Sequence, residues 1–400
     1  MARDDVAIFG AHDDRTVAQL QRCIAAERGA RGVLCADGHV GYSMPIGGVV
    51  AYRRFISPSG VGYDIACGNL AAKTDVRAAD VGDWEPLATQ IQQQISFGIG
   101  RANNDPIDAH PVFDRIAASP VREQRALLPL ARQQLGTVGS GNHYVDLLED
   151  EDGFLWIGVH FGSRGFGHRT ATGFMHIAQG RRWDDGGGEG ETDAPPLLLA
   201  LDVPSGQDYL EAMVIAGEYA YAGREAVVER VRQILGAAIT ESVHNHHNFA
   251  WREMHHGEAR VVVRKGATPA FPGQRGFVGG SMGDMSVILE GVDSSASRAA
   301  LYSTVHGAGR VMSRTQAAGK RQRRTGKILK PGAVDWPAAQ RAVRARGVVL
   351  RGGGPDEAPQ VYRRLDSVLG AHAGTVRVLH RLQPRVVVMA GINEFDPYKD

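Results

Sequence analysis

The chemistry-bearing side chains of this 400-residue chain stand in short glycine-flanked clusters strung over most of its length, and 51 of its residues are glycine. Inside a helix each glycine costs about 1 kcal/mol relative to alanine, so glycine at this density belongs in turns and at close approaches of backbone to backbone or ligand. The clusters predict one cleft assembled from many converging loops. Between them, helical and strand-like patterns mix without a regular βαβ repeat. Val6–Phe9 reads as a short strand, and Val17, Leu20 and Ile24 give an apolar helical face to a segment opening at Asp13 or Asp14, with Cys23 beside it as a core residue. Residues 36–69 read as strands and tight turns. Helices are expected at 82–97, 120–135, 207–239, 336–346 and 358–370, strand-like runs over 258–290, and a late strand at Arg385-Val-Val-Val-Met389. This is an α+β pattern, expected as a single domain over 1–400 with residues 183–196 as a flexible polar loop.

Composition removes several classes. No run of about 18 apolar residues exists to span a membrane. The sequence opens Met1-Ala-Arg-Asp-Asp with no apolar signal core, and Cys23, Cys35 and Cys67 are too few and scattered for a disulfide framework. The expectation is a cytoplasmic enzyme with no membrane contact. A formal net charge of +1 argues against a general nucleic-acid coat, but it hides an asymmetry. From Ser294 to Val334 there is no acid, while Arg298, Arg310, Arg314, Lys320, Arg321, Arg323, Arg324, Lys327 and Lys330 supply a field suited to phosphates. A solvated basic loop is the competing reading of Lys320–Arg324.

The candidate metal ligands lie in four clusters. Gly62-Tyr-Asp-Ile-Ala-Cys-Gly68 sets Asp64 and Cys67 three apart, close enough to reach one ion. Gly139-Ser-Gly-Asn-His143 puts His143 after a glycine turn, and His160 closes the strand-like run Leu155–Val159. His244-Asn-His-His-Asn-Phe249 adds further imidazoles. A lone histidine is more often a hydrogen-bonded core or surface residue; several beside glycine turns point to a shared site. The mixed oxygen, sulfur and nitrogen donors suit zinc, manganese or iron.

Phosphate chemistry has its own candidates. Gly279-Gly-Ser-Met-Gly283 and Arg264-Lys-Gly-Ala-Thr268 combine small residues with cationic or hydroxyl side chains, although a tight turn between strands explains the first equally well. Neither is a Walker loop, and no dinucleotide glycine fingerprint is present. The most informative string is Ser303-Thr-Val-His306-Gly-Ala-Gly309-Arg310, inside the acid-free stretch. A neutral imidazole can attack phosphorus, small neighbours let backbone close on a phosphate, and Arg310 can offset developing charge. None of the lysines, Lys73, Lys265, Lys320, Lys327, Lys330 and Lys399, sits in a Lys-x-Asp-Gly motif, so nucleotidyl transfer would have to rest on histidine.

Together these strings resemble the RtcB family of GTP-dependent RNA ligases. The matching segments are Pro45–Gly48, Gly60–Gly68, Gly136–His143, Gly162–Gly165, His247-Asn248, Arg264–Thr268, Gly280–Gly283, His306–Arg310 with Met312–Arg314, and Tyr398–Asp400. The resemblance implies an α+β domain with a central β-sandwich and a site for two manganese ions. By motif, Cys67 would bridge the ions, and Asp64, His143, His160 and His247 would complete the two sites. His306 would take GMP from GTP as a phosphoramidate and pass it to an RNA 3′-phosphate, opened from a 2′,3′-cyclic phosphate where needed. A 5′-hydroxyl would then seal the strand, in tRNA splicing or RNA repair. Nucleotide contacts would come from Asn142, Asp146, His247, Asn248, Gly279, Gly280, Ser281, Met282, Ser286, His306, Gly307, Ala308, Gly309 and Lys399. An archease-like activating protein is a further partner the resemblance raises. The chain departs from the family pattern in having Asp146 for glutamate, Phe161 for serine, Gly279 for proline and Ser59 for glycine, and in the string opening at Asp37. Two other readings stand beside ligation: capping of 3′-phosphate ends with little sealing, and metal and nucleotide binding without turnover.

Overall fold

Near-continuous apolar runs at Arg31–His39, Ile46–Tyr52 and Glu258–Lys265 mark strands covered on both faces. In the computed structural model, which describes residues 6–186, 192–321, 328–392 and 394, they join a five-stranded sheet. Its order is Val6–Ile8, Arg31–His39, Ile46–Tyr52, Glu258–Lys265, Asn248–His255. A larger sheet runs Arg275–Val278, Ser286–Gly291, Val376–Met389, Tyr144–Glu149, Phe154–Phe161, Gly68–Arg77, Ile239–His246, with Val349–Arg351 pairing parallel to Val376–Met389. Val376–Met389 is therefore an inner strand.

The larger sheet curls until its ends meet. Asn69 donates its side-chain amide to the Phe277 carbonyl at 2.8 Å, and the Phe277 N–H donates to Asn245 Oδ1 at 3.0 Å, joining the first strand to the far ones. Ala71, Leu148, Trp156, Val243, Phe277, Ile288 and Leu382 fill the interior of the curl. The smaller sheet packs on the larger through a shared core in which Val33, Cys35, Val49 and Val262 meet Val278, Val287 and Leu289. The fold is α+β, with a sheet-on-sheet centre.

Helices cover the outer faces. Asp14–Ala25 is capped by Asp13, whose carboxylate accepts from Thr16 N at 2.8 Å, and Cys23 is fully buried on its inner face. The long helix expected near 207–239 spans Pro204–Leu235 and stops where Gly236 turns left-handed at φ 63°. The helix expected over 358–370 is replaced by tight turns at Pro355–Glu357 and Pro359–Val361 followed by Leu365–Ala371, because the prolines interrupt a continuous run. Of the polar stretch 183–196, residues 187–191 lie outside the described residues, while its flanks are anchored: Asp193 pairs with Arg15 at 2.8 Å and Arg22 at 3.0 Å. Among the described residues no helix is long and apolar enough to cross a membrane.

Candidate functional site

The site forms where loops leaving both sheets converge. After the helical turn Pro58–Val61 the chain passes Gly62 at φ 91° and Ala66 at φ 60°, a bend that turns Asp64 and Cys67 inward. A left-handed alanine is strained, and it is held from outside. Its N–H donates to the Asn248 carbonyl at 2.7 Å, and its own carbonyl accepts from the buried Arg224 guanidinium at 3.0 Å. The same guanidinium donates to the Phe161 carbonyl at 2.6 Å, so Arg224 ties together the residues flanking Cys67 and His160.

His160 lies near the end of its strand, where Asn69 Oδ1 meets its Nδ1 at 2.7 Å and aims Nε2 at Cys67 Sγ, 3.4 Å away. His143 Nε2 sits 3.2 Å from Asp64 Oδ2 and 3.7 Å from Cys67 Sγ. One donor atom from each of Cys67, His143 and His160 lies within 4.8 Å of the others, a spacing that can hold a metal ion. Two glycines are required here. A Cβ on Gly162 would lie 2.1 Å from Asp64 Oδ1, and one on Gly139 2.2 Å from His143 Nδ1.

Of the imidazoles in 244–247, only His247 enters the site. His244 and His246 share one face of their strand and receive the Arg224 guanidinium at 2.8 and 3.0 Å, whereas His247, the next residue, turns the other way. Its ring lies 5.1 Å from that of His160 and 4.9 Å from that of His306, and its buried Nδ1 has no partner among the described residues. Burial pushes His160 and His247 well below the usual imidazole range, so both are neutral and able to offer a lone pair. At Asp64 burial opposes ionisation, but the hydrogen bond and charge of His143 prevail and bring the carboxyl to about 2.

Ser303–Val305 pairs with Ala267–Pro269 and delivers His306 to this row of rings. Its anchor is Asp37, from the middle of an apolar strand: Oδ2 accepts from His306 Nδ1 at 2.6 Å, His306 N at 2.9 Å and Gly307 N at 3.3 Å. Burial alone would raise the Asp37 carboxyl, but the charge and hydrogen bonds of His306 outweigh it and hold it below the usual range. With Asp37 ionised, the proton of a neutral His306 belongs on Nδ1, leaving Nε2 with a free lone pair. Gly309, at φ 73°, lets the turn close on Asp37, whose carbonyl would be 2.3 Å from a Cβ there.

The expected nucleotide residues fall around this turn. Gly279 and Gly307 form a backbone bridge, Gly280 N donates to Ser286 Oγ at 3.1 Å, and Met282 and Ala308 are buried beside them. Ser281 lies in the same 279–282 turn, and Asn142 directly precedes His143. Asn248 ties loops together, accepting from Gly266 N at 2.7 Å and donating to the Asp64 carbonyl at 3.3 Å. Asp146 is buried with Oδ1 unpartnered, and burial pushes its carboxyl well above the usual range. Lys399 lies outside the described residues.

The cations expected at the phosphates are engaged elsewhere. Arg264, fully buried, pairs with Glu253 at 2.6 Å, and Lys265 donates to the Tyr42 carbonyl at 2.6 Å. Arg310 donates to the Asp356 carbonyl at 2.7 Å and pairs with Glu357 at 3.5 Å; Arg314 reaches Glu357 at 2.5 Å. The acid-free stretch thus finds its acids in a later segment, which sequence order conceals. Lys320 and Lys330 are exposed on a two-stranded ribbon, whereas Arg323, Arg324 and Lys327 and the side chain of Arg321 lie outside the described residues. Sequence reasoning missed the roles of Asp37, Asn69 and Arg224. An acid directly after the apolar run Gly32–Ala36, in the same strand, was the available signal for Asp37, since unpaired acids are almost never fully buried.

Comparison with known proteins gives the same direction. A family model described as tRNA-splicing ligase RtcB matches residues 19–124 and 116–390. The chain is 31% identical over 380 residues to the RNA-splicing ligase RtcB of Escherichia coli (strain K12), covering 88% of each protein. It is 30% identical over 441 residues to the tRNA-splicing ligase RtcB of Pyrobaculum aerophilum, covering 89% of this chain and 87% of that protein. Against the RNA-splicing ligase RtcB of Mycobacterium tuberculosis it is 30% identical over 424 residues, with 87% and 94% covered. With this extent of match added to a site built from the same strings, the chain belongs to the RtcB family of RNA-splicing ligases.

Proposed function

We propose that this chain joins RNA 3′-phosphate or 2′,3′-cyclic phosphate ends to 5′-hydroxyl ends, using GTP and a GMP carried on His306. The observation that carries the reading is the Asp37–His306 pair at 2.6 Å, set at the end of a row of imidazoles that includes the candidate metal ligands. His306 Nε2 attacks the α-phosphorus of GTP, an N–P bond forms, the bond to the β-phosphate oxygen breaks and pyrophosphate leaves. Asp37 keeps the proton on Nδ1 and offsets the positive charge the ring acquires. An oxygen of the RNA 3′-phosphate then attacks the same phosphorus, and the N–P electron pair returns to Nε2. The product is an RNA end activated as 3′-pp-5′-G, where water has first opened any cyclic phosphate. The 5′-hydroxyl oxygen attacks the 3′-phosphorus, GMP departs, and the hydroxyl proton is lost to solvent or a nearby base.

Asp64, Cys67, His143, His160 and His247 would hold the two manganese ions of this reading, which when bound would supply positive charge opposite the crowded phosphates; the clustered donor atoms of Cys67, His143 and His160 support a metal there. The rest of the reading follows this chain's own residues: Gly279–Met282 and Gly307–Gly309 offer backbone to the nucleotide, with Asn142, Asp146, Asn248, Ser286 and Lys399 around it. An archease-like protein would act as activator, and the compartment would be the cytoplasm.

The test is incubation with manganese and α-labelled GTP. Label should become protein-bound, acid-labile and alkali-stable, and peptide mapping should place it on His306. His306→Ala should lose all label yet still seal a prepared RNA-3′-pp-5′-G strand to a 5′-hydroxyl. GMP on any other residue would refute the mechanism. Accumulation of capped 3′ ends with a 5′-hydroxyl strand present would show capping to be the activity instead.

A further inference from the structure

Tyr144 begins the strand next to the candidate metal ligands, and its ring stacks on His160 with centroids 5.4 Å apart. Its hydroxyl extends to Gly279, where a Cβ would lie only 2.3 Å from the phenolic oxygen. Glycine leaves the room a larger residue would fill, and the hydroxyl occupies it.

That hydroxyl is buried without a hydrogen-bond partner among the described residues. Hiding such a group costs about 1–3 kcal/mol, so an orphan beside a reaction centre calls for an explanation. Two residues along, on the same face of the strand, Asp146 Oδ1 is also buried and unpartnered. Two orphan oxygens on one strand face, the first of them against Gly279, have the character of ligand-facing groups. A tyrosine hydroxyl carries its proton at neutral pH and can donate it to a ligand oxygen. The position selects the ligand: Gly279 is bridged to Gly307, which follows His306 in the chain. If His306 attacks the α-phosphorus, the ligand atoms beside this bridge are the α-phosphate and its ribose.

We propose that Tyr144 donates its hydroxyl proton to an oxygen on the ribose–α-phosphate portion of the bound guanine nucleotide, a contact opened in this chain by glycine at position 279. The inference rests on the GTP reading above. It predicts that Tyr144→Phe, which removes one oxygen, weakens GTP affinity about tenfold, the effect of one hydrogen bond. The same change leaves the nucleotide-free melting temperature unchanged or higher, because it removes an unpaired buried group. Gly279→Ala should weaken GTP binding in the wild-type background and have much less effect combined with Tyr144→Phe, where the nearest remaining ring atom is 3.3 Å from the new Cβ.

The measurement is a GTP titration of the full chain with manganese, alongside thermal melts without nucleotide. Unchanged affinity in Tyr144→Phe, with the wild type binding GTP, overturns this inference alone. A lower melting temperature with unchanged affinity would assign the hydroxyl a purely structural role. Additive effects of the two substitutions would overturn the part played by Gly279. Failure of the wild type to bind GTP would overturn this inference and the GTP reading together.

Discussion

Replacing Asp37 by asparagine tests what the carboxylate does for His306. Two effects are in competition. An amide turned with its NH2 toward Nδ1 would force the imidazole proton onto Nε2 and remove the nucleophile's lone pair; the equivalent swap in the serine-protease triad costs about 10⁴ in rate. The local geometry opposes that turn. Oδ2 accepts not only from His306 Nδ1 but also from the backbone N–H groups of His306 and Gly307, while Oδ1 has no partner among the described residues. The backbone donors should hold the amide oxygen in the Oδ2 position, so the tautomer survives and only the charge is lost. A charge-assisted hydrogen bond is worth about 1.5–3 kcal/mol and a neutral one about 0.5–1.5. Adding the uncompensated charge on the guanylylated ring brings the expected loss to about 1.5–3 kcal/mol, or roughly 10- to 100-fold in rate. The assay is single-turnover labelling with α-labelled GTP, quenched at intervals. A rate within twofold of wild type would refute a role for the Asp37 charge, and one as low as in His306→Ala would show that the tautomer argument is wrong. Asp37→Ala should be worse for stability, because it strands two backbone donors.

Other substitutions probe separate parts of the site and scaffold. Cys67→Ala should retain the circular dichroism of the fold while losing bound metal and GTP-dependent labelling; full metal occupancy in the variant would remove Cys67 from the ligand set. Arg321, Arg323 and Arg324 changed together to glutamate should weaken RNA binding and flatten its salt dependence by about one unit per lost phosphate contact, with GTP labelling nearly unchanged. Glu253→Gln should destabilise the fold by about 3–5 kcal/mol, read from denaturant unfolding, because it leaves the fully buried Arg264 uncompensated. In the wild type, burial raises the Glu253 carboxyl but the Arg264 charge holds it below its ordinary value. Its contribution to stability is therefore fully present above about pH 4.3 and fades as the pH falls through the lower folded value.

Residues whose role is local were legible in the sequence. Gly139 stands four residues before His143 because a Cβ there would strike that ring, and such a need leaves its mark within a few positions. Residues whose role is set by a distant partner were not legible. Arg264 and Arg310 read as phosphate cations because Glu253 and Glu357 stand elsewhere in the chain. His244, His246 and His247 are neighbours in sequence, yet the first two share a face of the strand while His247 stands just past its end. The helix Arg164–Ala178 escaped notice because its glycines argue against helix; they are present where Gly167 meets the Ser163 side chain and Gly173 meets the Trp183 ring. Asp37 and His306 are 269 residues apart, and no local pattern could pair them.

Val376–Met389 is paired on one edge with Ser286–Gly291 and, further along, Val349–Arg351, and on the other with Tyr144–Glu149. During synthesis the strand bearing Tyr144 and Asp146 pairs early with Phe154–Phe161 but must wait for more than half the chain before its second neighbour exists. Until residue 389 has left the ribosome, that strand and Ser286–Gly291 each present an open edge, the kind of surface that recruits other unfinished chains. A fold of such long-range pairing is expected to assemble late and slowly. Nascent chains stalled before residue 376 should be protease-sensitive throughout the larger sheet and bound by chaperones, whereas release of residue 389 should convert the sheet to a protected state in one step.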